Sequence, residues 1–429
     1  MSHSGSSLAD WLLRLESFSP QEIQLGLERV LAVIERLDLA MPDTTFHIAG
    51  TNGKGSSVAF AQALLSASGA VVGTYTSPHV FEFNERICID AEPATDAEII
   101  AAFERIDAAR GDTALTYFEF GTIAALIVFE ARDVDIQILE VGMGGRLDAV
   151  NAVEPTAGLI TNISLDHCDW LGDNVESIAR EKAGIMRAGK CTVFASPEMP
   201  ESITAVAVEL GAKLVLADRD YHWSSTDTGW SWQSAGHRLH GLQRPLMAGE
   251  FQIDNAAGVL ALLECAGFAE LLGVERIDRA FAKPVLPGRM QTIVTDRRWL
   301  FDVAHNPAAA EVLATALAGE EFDATTVAII GLLDDKDVEG IISPLAEQVD
   351  YWISVTTGSS RAMDASEIGR QVANITNKAC MLAESLQQAI EHARKLTTAE
   401  DRILLTGSFY LVGPALRALG IYSPGKGKS

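Results

Sequence analysis

Apolar residues run along this chain in two rhythms. Over residues 8–39, Leu25, Leu27, Val30, Leu31, Ile34 and Leu37 recur at helical spacing, which predicts one or two amphipathic helices. From residue 46 the pattern changes. Short continuous apolar runs at residues 46–49, 71–76, 135–141, 158–163 and 191–195 predict buried strands. Longer helix-like stretches at 57–68, 118–131 and 177–186 fall between them. Such alternation predicts an α/β fold with a doubly wound, mostly parallel sheet covered on both faces. Residues 221–240 break the pattern. They are rich in Ser, Trp and His and predict a β-hairpin or an irregular excursion.

Two prolines and a glycine within residues 283–289 mark a linker. Alternation then resumes, with strands predicted at 299–304, 327–332, 351–355 and 403–406. The expected organisation is a P-loop domain over residues 1–283, a linker at 284–290, and a smaller Rossmann-like α/β domain over 291–429.

Composition narrows the classes. At 429 residues, with 48% hydrophobic and 21% charged residues, the chain reads as a globular enzyme. A net charge of −25 leaves no basic surplus to neutralise nucleic-acid phosphates, so no nucleic-acid partner is expected. The polar start lacks the features of a signal peptide, and no apolar run reaches the roughly 20 residues that a membrane span needs. Five widely spaced cysteines without a C-x-x-C pair read as reduced thiols. A cytoplasmic monomer without membrane contact is the expectation.

The most informative segment spans residues 47–57, HIAGTNGKGSS, where an apolar strand runs into a glycine-rich turn with one lysine and then a helix. That order builds a phosphate cradle. Glycines let backbone N–H groups face an anion, the helix N-terminus adds partial positive charge, and Lys54 adds a full one. The loop departs from G-x-x-x-x-G-K-[ST], because Gly50 lies three residues before Gly53 and Gly55 separates Lys54 from Ser56. The serines can offer a hydroxyl to Mg²⁺.

Four further runs carry chemistry. Glu140 ends a buried strand before Gly142, Gly144 and Gly145; it either helps to hold Mg²⁺ or sits in a salt bridge. His167, after the next strand, is a metal ligand or a structural histidine. Lys182 lies on a helix before Ala183-Gly184-Ile185. It is part of a solvated face, or it is buried with a lowered pKa, able as a neutral amine to take up CO₂. Asp302 is a ribose ligand or a helix cap before Pro307.

Together the motifs resemble one family, the bacterial bifunctional dihydrofolate synthase/folylpolyglutamate synthases, relatives of the Mur ligases. The resemblance rests on AGTNGKGS, TSPH (76–79), TYFEFGT (116–122), LEVGMGGRLDAVN (139–151), LDHCDWLG (165–172), REKAGI (180–185), LPGRMQ (286–291) and FDVAHNP (301–307). LGLERV (25–30), GLLDDKD (331–337) and LLTGSFY (404–410) extend it, so that it covers residues from about 8 to about 418. The resemblance implies that Thr51, Asn52, Gly53, Lys54, Gly55 and Ser56 grip ATP. Asn255 would lie on the adenine side, and Arg289 and Asp302 would reach the nucleotide. Ser77, Glu140 and His167 would hold two Mg²⁺ ions, with Lys182 as an N6-carboxylysine beside the second. The catalytic set would be Lys54, His167 and Lys182. Dihydropteroate would meet Ser17, Phe18, Ser19 and Pro20, Thr116, Tyr117, Phe118 and Glu119, and Leu147, Asp148 and Ala149. Arg86 and His305 would meet glutamate or the transferred phosphate.

The activity implied is ATP-dependent addition of L-glutamate to dihydropteroate and to tetrahydrofolates through an acyl phosphate, with closure at the linker to keep water out. A peptidoglycan-type Mur ligase is not expected, since a P-loop at residue 50 leaves no room for a preceding UDP-sugar domain. A synthase that only extends folates, or a regulatory P-loop ATPase, are the alternatives.

Overall fold

The computed structural model describes residues 7–18 and 24–422, and its secondary structure divides into two compact units. The first comprises residues up to 246 together with 250–284; the second comprises 247–249 and the chain from 285 onward.

The first unit is built on an eight-stranded sheet. In chain order its strands are β1 (Thr44–Ala49), β2 (Val72–Tyr75), β3 (Ile87–Ile89), β4 (Glu92–Pro93), β5 (Ile136–Glu140), β6 (Ala157–Ile160), β7 (Cys191–Phe194) and β8 (Lys213–Leu216). The spatial order is β4-β3-β2-β5-β1-β6-β7-β8. All pairings from β2 to β8 are parallel; β3 and β4 add an antiparallel edge. β1 sits centrally, with β2 and β5 on one side and β6 on the other. The chain therefore changes direction of winding there, and open α/β sheets bind ligands at such a switch point, beyond the strands' carboxyl ends.

Helices cover both faces. α1 (Leu8–Phe18) and α2 (Glu28–Leu37) precede β1, and α3 (Lys54–Ser66) follows it at once. α4 (Asp96–Arg110) and α5 (Tyr117–Ala131) lie between β4 and β5. α5 is apolar nearly all round and buried from Glu119 to Phe129, as a helix enclosed between sheet and outer helices must be. α6 (Cys168–Leu171), α7 (Val175–Ala183), α8 (Glu201–Leu210), α9 (Phe251–Cys265) and α10 (Val274–Phe281) complete this unit. α2 takes up Val30, Val33 and Leu37 of the amphipathic stretch, while Leu31 is exposed.

Residues 221–240 form more than a hairpin. β9 (Tyr221–Thr226), β10 (Gly229–Ser234) and β11 (Arg238–Leu242) make a three-stranded antiparallel sheet, anchored by Trp232 Nε1 donating to the Ala257 carbonyl of α9 at 3.2 Å. The second unit carries a six-stranded sheet of β12 (Gln291–Val294), β13 (Arg298–Phe301), β14 (Thr326–Ile330), β15 (Tyr351–Val355), β16 (Cys380–Ala383) and β17 (Arg402–Thr406). Its order is β12-β13-β17-β14-β15-β16, parallel except for β12. Among the described residues no helix is long and apolar enough to cross a membrane.

The expectation of five free thiols needs correction. Cys191 and Cys265 are joined as a disulfide, 74 residues apart in sequence, because α9 packs across β7 and brings its last turn to the strand's first residue. Cys88, Cys168 and Cys380 are free.

One core residue stands out. His47 lies wholly buried on β1, and among the described residues neither ring nitrogen finds a hydrogen-bond partner. Burial, with the Arg187 charge, pushes its pKa from 6.5 down to about 3. The neutral form is favoured in the folded state, so its stability contribution is complete above pH 6.5 and is lost as pH falls toward 3. By pH 5 the loss is about 2 kcal/mol. His47→Leu should remove that portion of the pH dependence, measured as the difference in urea-unfolding free energy between pH 7.5 and pH 5. An unchanged difference would contradict this account.

Candidate active site

β1 delivers Ala49 to the switch point, and the next residues turn sharply. Gly50 has φ +139°, and a Cβ there would come 1.8 Å from Thr161 Oγ1. Gly53 has φ +85°, and its Cβ would come 2.3 Å from Asn255 Oδ1. Only glycine meets both the left-handed backbone and the close approach. The turn is knitted to the segment after β6. Thr51 N–H donates to the Asn162 carbonyl (2.9 Å), Asn52 N–H to Asn162 Oδ1 (3.1 Å), and Thr161 Oγ1 to the Asn52 carbonyl (2.6 Å). α3 begins at Lys54, three residues earlier than the sequence pattern suggests, because Gly53 serves as its N-cap in the αL region. Gly55 and the buried Ser56 therefore lie in the helix's first turn, where N–H groups have no intrahelical partner.

Two lysines converge on this loop. Lys54 Nζ donates to the carbonyls of Gly50 and Thr51, 3.0 Å each, and Lys182 Nζ donates to the same Gly50 carbonyl at 3.0 Å. Lys182 is buried, in the last turn of α7. Burial first, and the Lys54 charge second, push its pKa from 10.5 down to about 7. The solvated-face reading of Lys182 is thus excluded.

The glycine run after β5 explains how Lys182 arrives. A Cβ on Gly145 would come 2.8 Å from the carbonyls of both Glu181 and Lys182, and one on Gly184 would come 2.3 Å from Arg146 Cβ. Arg146 N–H donates to the Glu181 carbonyl at 2.8 Å, and Asn151 Nδ2 donates to the carbonyls of Arg146 and Gly184, 3.0 Å each. Asp148 is buried there, accepting from the N–H groups of Met143 (2.9 Å) and Val150 (3.0 Å). Burial pushes its carboxyl up to about 6 against those hydrogen bonds and the Lys54 charge.

Glu140 ends β5 beside Ile48 of β1, buried, and its Oε2 accepts the Ser77 N–H at 3.2 Å. His167 stands in the αL region at the start of α6, with its ring a third exposed and Nε2 4.0 Å from Asp166 Oδ2. Among the described residues no three His, Cys, Asp or Glu side chains gather to hold a metal.

On the β2 side, Arg86 Nε donates to His79 Nδ1 (2.9 Å), and the guanidinium lies over the rings of Phe83 (5.5 Å) and Tyr117 (5.4 Å). Phe118 packs under Gly142, where a Cβ would come 2.5 Å from its ring. Thr116 and Glu119 form a capping box at the start of α5, and Glu119 pairs with Arg29 at 2.7 Å. Their side chains are thus engaged in building the helix start. Leu147 accepts the Gly26 N–H through its carbonyl (3.3 Å), and the buried Ala149 begins a short 3₁₀ turn capped by Asp148. Ser17 closes α1 with its hydroxyl donated to the Arg14 carbonyl (2.6 Å). Phe18 is the last residue of that helix, and Ser19 and Pro20 lie outside the described residues.

In the second unit, Asp302 is buried and accepts from the N–H groups of Met290 (2.9 Å) and Ala304 (2.8 Å). Burial raises its pKa, opposed by these bonds and by Arg289. The helix-cap reading is corrected, since Asn306 caps the following helix, α11 (Pro307–Ala318), by accepting from Ala309 N–H. Arg289 lies over the Phe409 ring at 5.3 Å, and the His305 ring sits 5.9 Å from it. Arg289, Asp302 and His305 thus gather beyond β13.

Sequence reasoning missed Thr161 and Asn162, which hold the loop. Their signal was a Thr-Asn pair ending an apolar run. If the loop conformation is the anion cradle, Gly53→Ala should raise the Kd for ATP about 10-fold or more, through backbone strain and the clash with Asn255. Isothermal calorimetry showing unchanged affinity would refute it.

The Mur ligase middle domain family matches residues 48–263, and the Mur ligase glutamate ligase domain matches residues 288–409. A dihydrofolate synthase/folylpolyglutamate synthase of Escherichia coli (strain K12) is 39% identical over 415 residues, covering 96% of each chain. The structure of E. coli FolC in complex with DHPP and ADP aligns with TM-score 0.91 at 38% identity, over 98% of this chain and 99% of that one. The Yersinia pestis bifunctional folylpolyglutamate synthase/dihydrofolate synthase complexed with AMPPNP and Mn ion aligns with TM-score 0.89 at 40% identity, over 98% and 100%. Matched through both units and nearly end to end, the chain belongs to the dihydrofolate synthase/folylpolyglutamate synthase family of Mur ligases.

Proposed function

We propose that this chain is an ATP-dependent ligase that joins L-glutamate to dihydropteroate, giving dihydrofolate, and to tetrahydrofolates, giving polyglutamates. The observation that carries this reading is the convergence of the glycine loop, Lys54, buried Lys182 and buried Glu140 at one sheet edge, beside the aromatic surface of Tyr117 and Phe118. That edge offers an anion cradle and a carboxylate together.

A carboxylate resists attack by an amine because it carries negative charge and has no leaving group. Its oxygen attacks the γ-phosphorus of ATP, the bond to ADP breaks, and an acyl phosphate forms. The glutamate amine, having lost a proton, then attacks the acyl carbon. The C–O bond to phosphate breaks, so one carboxylate oxygen leaves in inorganic phosphate. Lys54 and the N–H groups of residues 53–56 stabilise charge on the transferred group. Ser77, Glu140 and His167 would hold Mg²⁺, two ions in our reading, which supplies charge neutralisation between carboxylate and triphosphate. Lys182 would take up CO₂ on its neutral amine to become an N6-carboxylysine. Its burial beside Lys54 favours that neutral form. Leu147, Asp148 and Ala149 with Thr116–Glu119 and the end of α1 are assigned to dihydropteroate. Asn255, Arg289 and Asp302 are assigned to the nucleotide, and Arg86 and His305 to glutamate. A monomer acting in the cytoplasm completes the reading.

Dihydropteroate labelled with oxygen-18 in its carboxylate should transfer one label into inorganic phosphate per turnover. Phosphate free of label, with product formed, would refute the acyl phosphate. Incorporation of glutamate into dihydropteroate and into tetrahydrofolate, assayed separately, separates the bifunctional enzyme from a synthase that only extends folates. Lys54→Ala should lower kcat by roughly 10²–10³. Lys182→Ala should lose activity and recover part of it with added short carboxylic acids; full activity without them would exclude the carbamate.

A further inference from the structure

The excursion between β2 and β3 holds Ser77 at its start and Arg86 at its end, yet its shape is set by a residue assigned to neither substrate nor nucleotide. A turn of this length carries backbone donors that no strand satisfies. The Glu85 carboxylate collects three of them. Its Oε2 accepts the Val80 N–H at 2.8 Å, and its Oε1 accepts those of Phe81 (2.9 Å) and Glu82 (2.8 Å). Glu82 answers through a reciprocal capping box around the 3₁₀ turn Phe83–Arg86. The ends are then pinned: Thr76 N–H donates to the Arg86 carbonyl (2.9 Å), and Arg86 Nε to His79 Nδ1 (2.9 Å). Ser77 N–H donates to Glu140 Oε2 (3.2 Å), which ties this excursion to the carboxyl end of β5.

Bonds from N–H groups to a carboxylate are charge-assisted and about twice as strong as neutral ones. Three on one side chain fix residues 80–82, and that closes the ring which presents Ser77 to Glu140 and Arg86 to Tyr117. We infer that Glu85 is a positioning residue of the ligase, holding the 76–86 excursion so that Ser77 stays at Glu140 for the nucleotide-bound cation. The inference rests on the proposed reading of Ser77 and Glu140 as cation ligands.

The test compares wild type, Glu85→Ala and Glu85→Gln. Binding of Mn²⁺ in the presence of AMPPNP is followed by the electron paramagnetic resonance of free Mn²⁺. Binding of metal-free ADP is followed by calorimetry. Glu85→Ala should weaken Mn²⁺ binding about 10-fold or more and leave metal-free ADP affinity within about twofold. Glu85→Gln keeps one acceptor oxygen and two of the three bonds, so its Mn²⁺ affinity should fall only about threefold. A general structural role would weaken both ligands together, and that result overturns the inference. So does either variant, folded by circular dichroism, binding Mn²⁺ as wild type does. Should Glu85→Ala fail to fold, Glu85→Gln decides by the same split. If wild type itself took up no Mn²⁺ with AMPPNP, the cation reading of Ser77 and Glu140 would fall first, and this inference with it.

Discussion

Two lysine amines on one backbone carbonyl set the constraint around which the first unit is organised. Lys54 and Lys182 come from different helices, and both donate to Gly50. Burial of Lys182, and the Lys54 charge beside it, both disfavour a second cation there and hold Lys182 toward its neutral form. The arrangement holds because the surrounding backbone is rigid and closely approached. Gly50 lies against Thr161, Gly53 against Asn255, and Gly145 against the last turn of α7. Each contact removes space that a side chain would need.

The same constraint reconciles an acidic chain with an anionic ligand. A formal charge of −25 is spread over a large surface, and salt screens it beyond about 8 Å. At the loop, the local field comes from Lys54 and the start of α3 within a low-dielectric edge. Asp148, a buried acid that feels the Lys54 charge, is held by N–H donors and pushed by burial toward its neutral form.

Much of the fold was legible because the central strands are buried on both faces. β1, β5, β6, β7, β14 and β17 read as continuous apolar runs. The strands that escaped reading are short or lie at sheet edges. β4 and β16 are largely exposed, and β12 alternates, so no unbroken apolar run announces them. The disulfide escaped because spacing says nothing about two cysteines 74 residues apart until α9 is laid across β7.

By itself the sequence determined the chemistry on offer. A glycine loop with a lysine after a strand, a glutamate before a glycine run, and a lysine preceding Ala-Gly-Ile are local patterns, and local backbone rules are enough to read them. Only the tertiary structure decided which of these groups meet. It put Lys182 on Gly50, turned Asp302 from a helix cap into a buried acceptor, brought Arg29 to Glu119, and made Thr161 and Asn162 the holders of the glycine loop. The reason is physical. Propensity acts over a few residues, whereas these contacts join segments up to 132 residues apart, and their free energy exists only once the sheet has set the distance between them.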